Sequence, residues 1–119
     1  MKRGEVYDAR LDPIEGSEQG GTRPVILVSR EAINVSSPLV IAVPCTTYRV
    51  RRRVYPSQVL IIAPDGGLER DTIALGEQLR TLSKTRLLRL RGRLSDETMR
   101  QLERALLIAL DLPGQDELI

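Results

Sequence analysis

The chain has 119 residues, 41% apolar and 29% charged, with a formal net charge of +2, which is the length of one compact domain and the composition of a chain that folds. Its longest apolar run, the eight residues 38–45, is far short of the ~18–20 needed to cross a bilayer, and the opening Met1-Lys2-Arg3-Gly4-Glu5 leads into no apolar stretch of the kind a signal peptide carries. One cysteine, Cys45, and no histidine exclude an internal disulfide, a conventional zinc, haem or iron–sulfur site, and any mechanism that uses an imidazole. A single cytoplasmic domain over residues 1–119 is expected, with no membrane partner and no cofactor.

In chain order, residues 5–11 alternate, with Val6, Asp8 and Arg10 on one face and Tyr7, Ala9 and Leu11 on the other, and are predicted as a strand. Residues 12–22 (DPIEGSEQGGT) are turn formers throughout and read as a long loop. Residues 24–29 (PVILVS) and 38–45 (PLVIAVPC) have too little polar alternation for half-exposed strands and are expected in the centre of a sheet. Residues 57–63 predict another strand, ending at the turn Pro64-Asp65-Gly66-Gly67, and residues 71–75 a further short one. A helical turn is expected from Ser83, then a last strand or extended link over residues 89–94. Residues 95–110 are the clearest helix: Ser95 caps it, Asp96 and Glu97 oppose the dipole, and Met99, Leu102, Leu106, Leu107 and Leu110 are expected on one side. Pro113-Gly114 ends it, and residues 115–119 are expected as a loose tail. The sum is a mainly β fold, a small bent barrel with a C-terminal helix across it. Its small aromatic-poor core makes dimerisation favourable.

Two of the basic residues are lysine, Lys2 and Lys84, and sixteen are arginine. Guanidinium grips phosphate bidentately and stacks on bases, so the bias points to nucleic acid. A genome rich in G and C gives the same bias, and position has to decide.

Four segments offer chemistry, and each has a plainer reading. The loop Gly16-Ser17-Glu18-Gln19-Gly20-Gly21-Thr22-Arg23 combines close backbone approach with donors, an acceptor and a phosphate clamp, or is a solvated hairpin. Thr46 and Thr47, after Pro44-Cys45, are strand-end hydroxyls that either hold a phosphate oxygen or fill an edge; Cys45, in an apolar run without a histidine, reads as a core residue. Residues 48–55 interleave Arg51, Arg52 and Arg53 with tyrosine, as a single-strand binding surface or an exposed hairpin. Glu69-Arg70-Asp71 and residues 76–82, with Gln78 and Arg80 on one face, line a groove or form internal salt bridges.

Together these segments resemble the MazF/PemK family, the messenger-RNA endonuclease toxins of bacterial toxin–antitoxin pairs. The marks are KRGEVYDARLDP, GSEQGGTRPVILVS, VPCTT, LERDTIALGEQLRTLSK and the leucine-rich C-terminal helix, in the family's order over nearly the whole chain. The resemblance implies an SH3-like barrel, a homodimer with single-stranded RNA in a groove at the interface, and a cognate antitoxin whose disordered acidic C-terminal segment occupies that groove. It implies Arg23 and Thr46 at the scissile phosphate, with Glu18 as a further catalytic residue, and Ser17, Gln19, Thr47, Gln78 and Arg80 near the RNA. Arg51 and Arg53 are expected to add base reading and backbone grip. The implied reaction is metal-independent: the 2′-hydroxyl attacks, giving a 2′,3′-cyclic phosphate and a 5′-hydroxyl. The alternative comes from relatives of the same fold that poison DNA gyrase by binding it; the tail Asp111-Leu112-Pro113-Gly114-Gln115 lacks an aromatic anchor for such a contact.

Overall fold

The structure, a computed structural model, describes residues 1–114; the expected loose tail at 115–119 lies outside them. The alternation of the first segment is obeyed by β1 (Glu5–Arg10). Val6 packs into one apolar cluster, while Tyr7, Ala9 and Leu11 pack into a second. β2 (Thr22–Leu27) and β3 (Leu39–Thr47) bury both faces. Ile26, Val43 and Cys45 enter the first cluster and Val25, Leu27, Val40 and Ala42 the second, which is why these sequences run apolar without a polar alternate.

β4 (Gln58–Ile61), β5 (Thr72–Leu75), β6 (Arg80–Ser83) and β7 (Leu87–Arg93) complete the seven strands of the described residues, ordered β4-β5-β3-β2-β1-β7 with β6 also on β3. Every pairing is antiparallel. β3 is the hub. One edge carries β2; the other carries β6 over Leu39–Ala42 and then β5 over Cys45–Thr47, so the partner changes beside Pro44. The strand path is open, barrel-like rather than a closed ladder. Its ends meet where the turn Asp65–Gly67, which follows β4, lies on β7: Gly67 has φ +72° and a Cβ there would overlap the Arg91 carbonyl.

β6 was not anticipated as a strand, nor was the six-residue helix α1 (Glu31–Ser36). A helix this short has little stability of its own, and tertiary bonds hold it. The buried Asn34 accepts from Ser29 Oγ and donates to Ser29 O at 2.9 Å, and Lys84 Nζ donates to Asn34 O at 2.6 Å.

The C-terminal helix α2 (Asp96–Ala109) forms as expected, Ser95 Oγ accepting from Thr98 N. Asp65 adds a second cap, accepting from Ser95 N at 2.9 Å and from Thr98 Oγ1 at 2.6 Å. Its burying face is Met99, Leu102 and Ala105, with Leu106 partly buried. The expectation for Leu107 and Leu110 is corrected. Leu107 stands about 100° round the helix from Leu106, and Leu110 lies past the last helical turn and is 52% exposed.

Candidate functional site

The β2–β3 register pairs Val25 with Pro44, Ile26 with Val43 and Leu27 with Ala42. Carried outward by two residues, it aligns Arg23 with Thr46, and the β1–β2 register puts Ala9 across from Arg23. Side chains alternate along a strand, so Arg23 and Thr46 share the face of the second cluster, with Val25 and Ala42. Arg80, opposite Ala42 on β6, is on that face as well. Arg23 and Thr46, some twenty positions apart in the chain, thus stand on one face just beyond the end of the β2–β3 ladder.

The loop between β1 and β2 folds over this face and is tied to it. Leu11 N donates to Gly21 O at 2.9 Å, closing the loop's base, and Gly21 N donates to Asp12 Oδ1 at 3.1 Å. Gln78 Oε1 accepts from Gln19 N at 2.6 Å, Arg80 Nη1 donates to Leu11 O at 3.2 Å, and Arg86 Nη1 donates to Arg10 O at 3.0 Å and Asp12 O at 2.6 Å. Gln78 sits in the helical turn Gly76–Gln78, at the place where β3 exchanges β6 for β5. Gln78 thus lies in the link between the two strands that share this edge of β3, and from there it meets the loop.

From the start of β2, Arg23 Nε donates back to Gly20 O of the loop at 3.2 Å. Its two terminal nitrogens have no partner among the described residues, and neither does the hydroxyl of the half-buried Thr46. Glu18 Oε1 accepts from Glu15 N at 2.7 Å, so this carboxylate closes its own turn while remaining exposed. Ser17 is exposed beside it. The sequence reading missed two residues, Asp12 and Arg86. An arginine whose guanidinium is spent on backbone carbonyls looks, in sequence, like any other.

Thr47 parts from Thr46. It pairs with Thr72 and turns to the opposite side of β3, where it borders a hollow of about 610 Å³ shared with Tyr48, Arg49, Glu69, Arg70 and Asp71. The segment 48–56 leaves the same end of the sheet as the loop. It is an exposed arm, with Val50 84% exposed. Arg51 takes a left-handed conformation, φ 74°, and the Arg53 guanidinium lies 4.9 Å from the centre of the Tyr55 ring. Cys45 is fully buried, and burial pushes its thiol well above the ordinary range, which removes it as a nucleophile. A larger hollow, about 880 Å³ between β4 and α2, is lined by residues such as Leu60, Arg100 and Ile108 and holds none of the expected catalytic or RNA-binding residues. Volume is a poorer guide here than the convergence of unengaged donors.

Residues 2–110 match the family described as PemK-like, MazF-like toxin of type II toxin-antitoxin system. The chain belongs to the PemK/MazF toxin family. It is 42% identical over 112 residues to the endoribonuclease MazF of Staphylococcus saprophyticus subsp. saprophyticus, covering 94% of this chain and 92% of that one. Its fold is similar to MazF from Deinococcus radiodurans, with a TM-score of 0.80 and 25% identity over 94% of this chain and 97% of that one. It is also similar to a mycobacterial endoribonuclease solved in complex with its cognate antitoxin, with a TM-score of 0.77 and 32% identity over 93% and 95% of the two chains. In this MazF-like chain, the mainly β barrel with a C-terminal helix is the family's fold.

Proposed function

We propose that this endoribonuclease toxin cuts single-stranded messenger RNA at specific sequences, without a metal ion, by attack of the substrate's 2′-hydroxyl on the adjacent phosphorus. The observation that carries the reading is that Arg23 and Thr46 stand on one face just beyond the β2–β3 ladder, with two guanidinium nitrogens and a hydroxyl unengaged among the described residues, beside an anchored loop. RNA carries its own nucleophile, so the protein has to align it, stabilise the charge on the phosphorane and move protons. Arg23 meets the developing charge with its two terminal nitrogens, and Thr46 donates to a non-bridging oxygen.

The 2′-hydroxyl proton passes to Glu18, since a guanidinium with a pKa above ~12 is a poor base. The bond from phosphorus to the 5′-oxygen breaks, and that oxygen takes a proton from solvent, to which Arg23 is open. Products are a 2′,3′-cyclic phosphate and a 5′-hydroxyl. For Glu18 to act, its carboxylate has to let go of Glu15 N as the loop closes on RNA. Ser17, Gln19, Thr47, Gln78 and Arg80 border the bound strand, and Arg51 and Arg53 hold its backbone and bases from the arm. The working form is a homodimer in the cytoplasm. A cognate antitoxin, of which the mycobacterial complex is a relative's example, blocks the same arginine-lined surface with an acidic flexible segment.

The test is cleavage of a mixed-sequence single-stranded RNA in excess EDTA, beside its all-2′-deoxy copy and an Arg23→Ala chain. Fragments ending in a cyclic phosphate from RNA alone, lost in the variant, support the reading. No cleavage across varied sequences overturns it in favour of a binding-only toxin. Full single-turnover activity in Glu18→Gln removes Glu18 as the base.

A further inference from the structure

Glu69, Arg70 and Asp71 are the residues whose chemistry the reaction leaves unused. They border the hollow of about 610 Å³ with Thr47, Tyr48 and Arg49, a size within the range of small-ligand sites. It starts at Thr47, next in the chain to the residue placed at the scissile phosphate but on the opposite side of β3, so a bound strand reaches both by passing round the end of β3. The guanidinium groups of Arg49 and Arg70 have no partner among the described residues. Glu69 is 83% exposed and, among the described residues, held only by Arg91 Nη2 at 3.8 Å. Asp71 is different: Oδ1 accepts from Ala63 N at 3.0 Å and its carbonyl from Tyr48 N at 2.9 Å, so it fixes the wall and the place of the tyrosine.

We infer that this hollow is a base-reading subsite for the strand as it passes round the end of β3 from the cut, taking one unstacked nucleobase that bears an exocyclic amino group. The inference rests on the ribonuclease reading above. A ring for stacking, Tyr48, stands beside an acceptor-only carboxylate and donor-only guanidiniums, and single-stranded RNA is read in this way, on splayed-out bases against aromatic faces and polar edges. Glu69 accepts from the amino group of adenine, cytosine or guanine, while Arg70 donates to the neighbouring ring nitrogen or carbonyl. Uracil is refused, because its edge sets two carbonyl oxygens around a single N–H and one of them faces the carboxylate.

The experiment is cleavage of a randomised single-stranded RNA pool by the whole chain, with product ends sequenced. The wild type is expected to exclude uracil at one position flanking the cut. Glu69→Ala is expected to lower that exclusion about tenfold, the scale of one good polar base contact, with preferences elsewhere kept. Glu69→Gln, which brings a donor, is expected to admit uracil. Arg70→Ala is expected to flatten the same position. Cleavage by these variants with the wild-type base profile overturns the inference, and so does an equal loss at every site, which is the mark of a structural role through Arg91. Absence of cleavage by the wild type overturns the ribonuclease reading and this one with it.

Discussion

The loop between β1 and β2 and the arm between β3 and β4 leave the sheet at the same end, and both are rich in residues suited to RNA, yet they are built in opposite ways. The loop is fixed from three sides by Gln78, Arg80 and Arg86. In the arm, the side chains of residues 49–55 make no hydrogen bond to the rest of the protein among the described residues; a backbone turn from Arg52 N to Arg49 O and the cation–π pair of Arg53 on Tyr55 order it internally, and Tyr55 is tied to Gln58 at its end. Chemistry at phosphorus needs groups held in place before the substrate arrives. Grip on a flexible strand does not, and exposed arginines that track phosphates work from a pliant segment. The difference separates a region built to position atoms from one built to hold a chain.

The sharpest way to break this division is Arg23→Ala. Loss of a preorganised charge-stabilising donor lowers single-turnover cleavage by about 10²–10³-fold, with RNA affinity much less affected; a matching loss of affinity would make Arg23 a binding residue instead. Gln78→Ala frees Gln19 N and loosens the loop, and the cleavage step is expected to slow by about tenfold from misplacement alone. Stability changes by about 1–2 kcal/mol for one lost hydrogen bond, so a thermal melt run alongside separates positioning from unfolding.

Arg51→Ala and Arg53→Ala address the other side. They raise KM severalfold and leave the cleavage step at saturation unchanged, and each reduces the salt slope of binding by about 0.7 for every phosphate contact removed. An effect on the saturated rate would show that the arm takes part in the chemistry.

The smallest expected effect lies away from both regions, at the Asp65 cap of α2. Partial burial pushes the Asp65 carboxyl up, but hydrogen bonds from Thr98, Ser95 and Gly66 outweigh it, and the net shift is downward. A depressed folded pKa contributes stability above the unfolded value of about 3.9 that is lost as pH falls through the folded value. Asp65→Asn is therefore expected to melt a few degrees lower at neutral pH, by the scale of one helix cap, with the gap closing in acid. A gap that stays constant from pH 7 to pH 2 would exclude the carboxylate as its cause.

Much of this was legible in the chain itself. Alternation in β1, unbroken apolar runs in β2 and β3, and a capped amphipathic helix in α2 are local patterns, and each is enforced by which face has to leave water. The sequence also determined that Cys45 belongs to the core and that catalysis has no imidazole. What only the tertiary structure decided is adjacency. The register that sets Arg23 and Thr46 on one face, the exchange of partners along β3 near which Gln78 meets the loop, Arg86 spent on backbone carbonyls, and α1 held by Asn34 all depend on hydrogen bonds between distant residues. Leu110 keeps the spacing of Leu102 and Leu106 and is nonetheless exposed, at the end of α2. Periodicity states which way a side chain points along its own segment; which segment it meets is settled when strands pair, because pairing is a property of two stretches of chain at once.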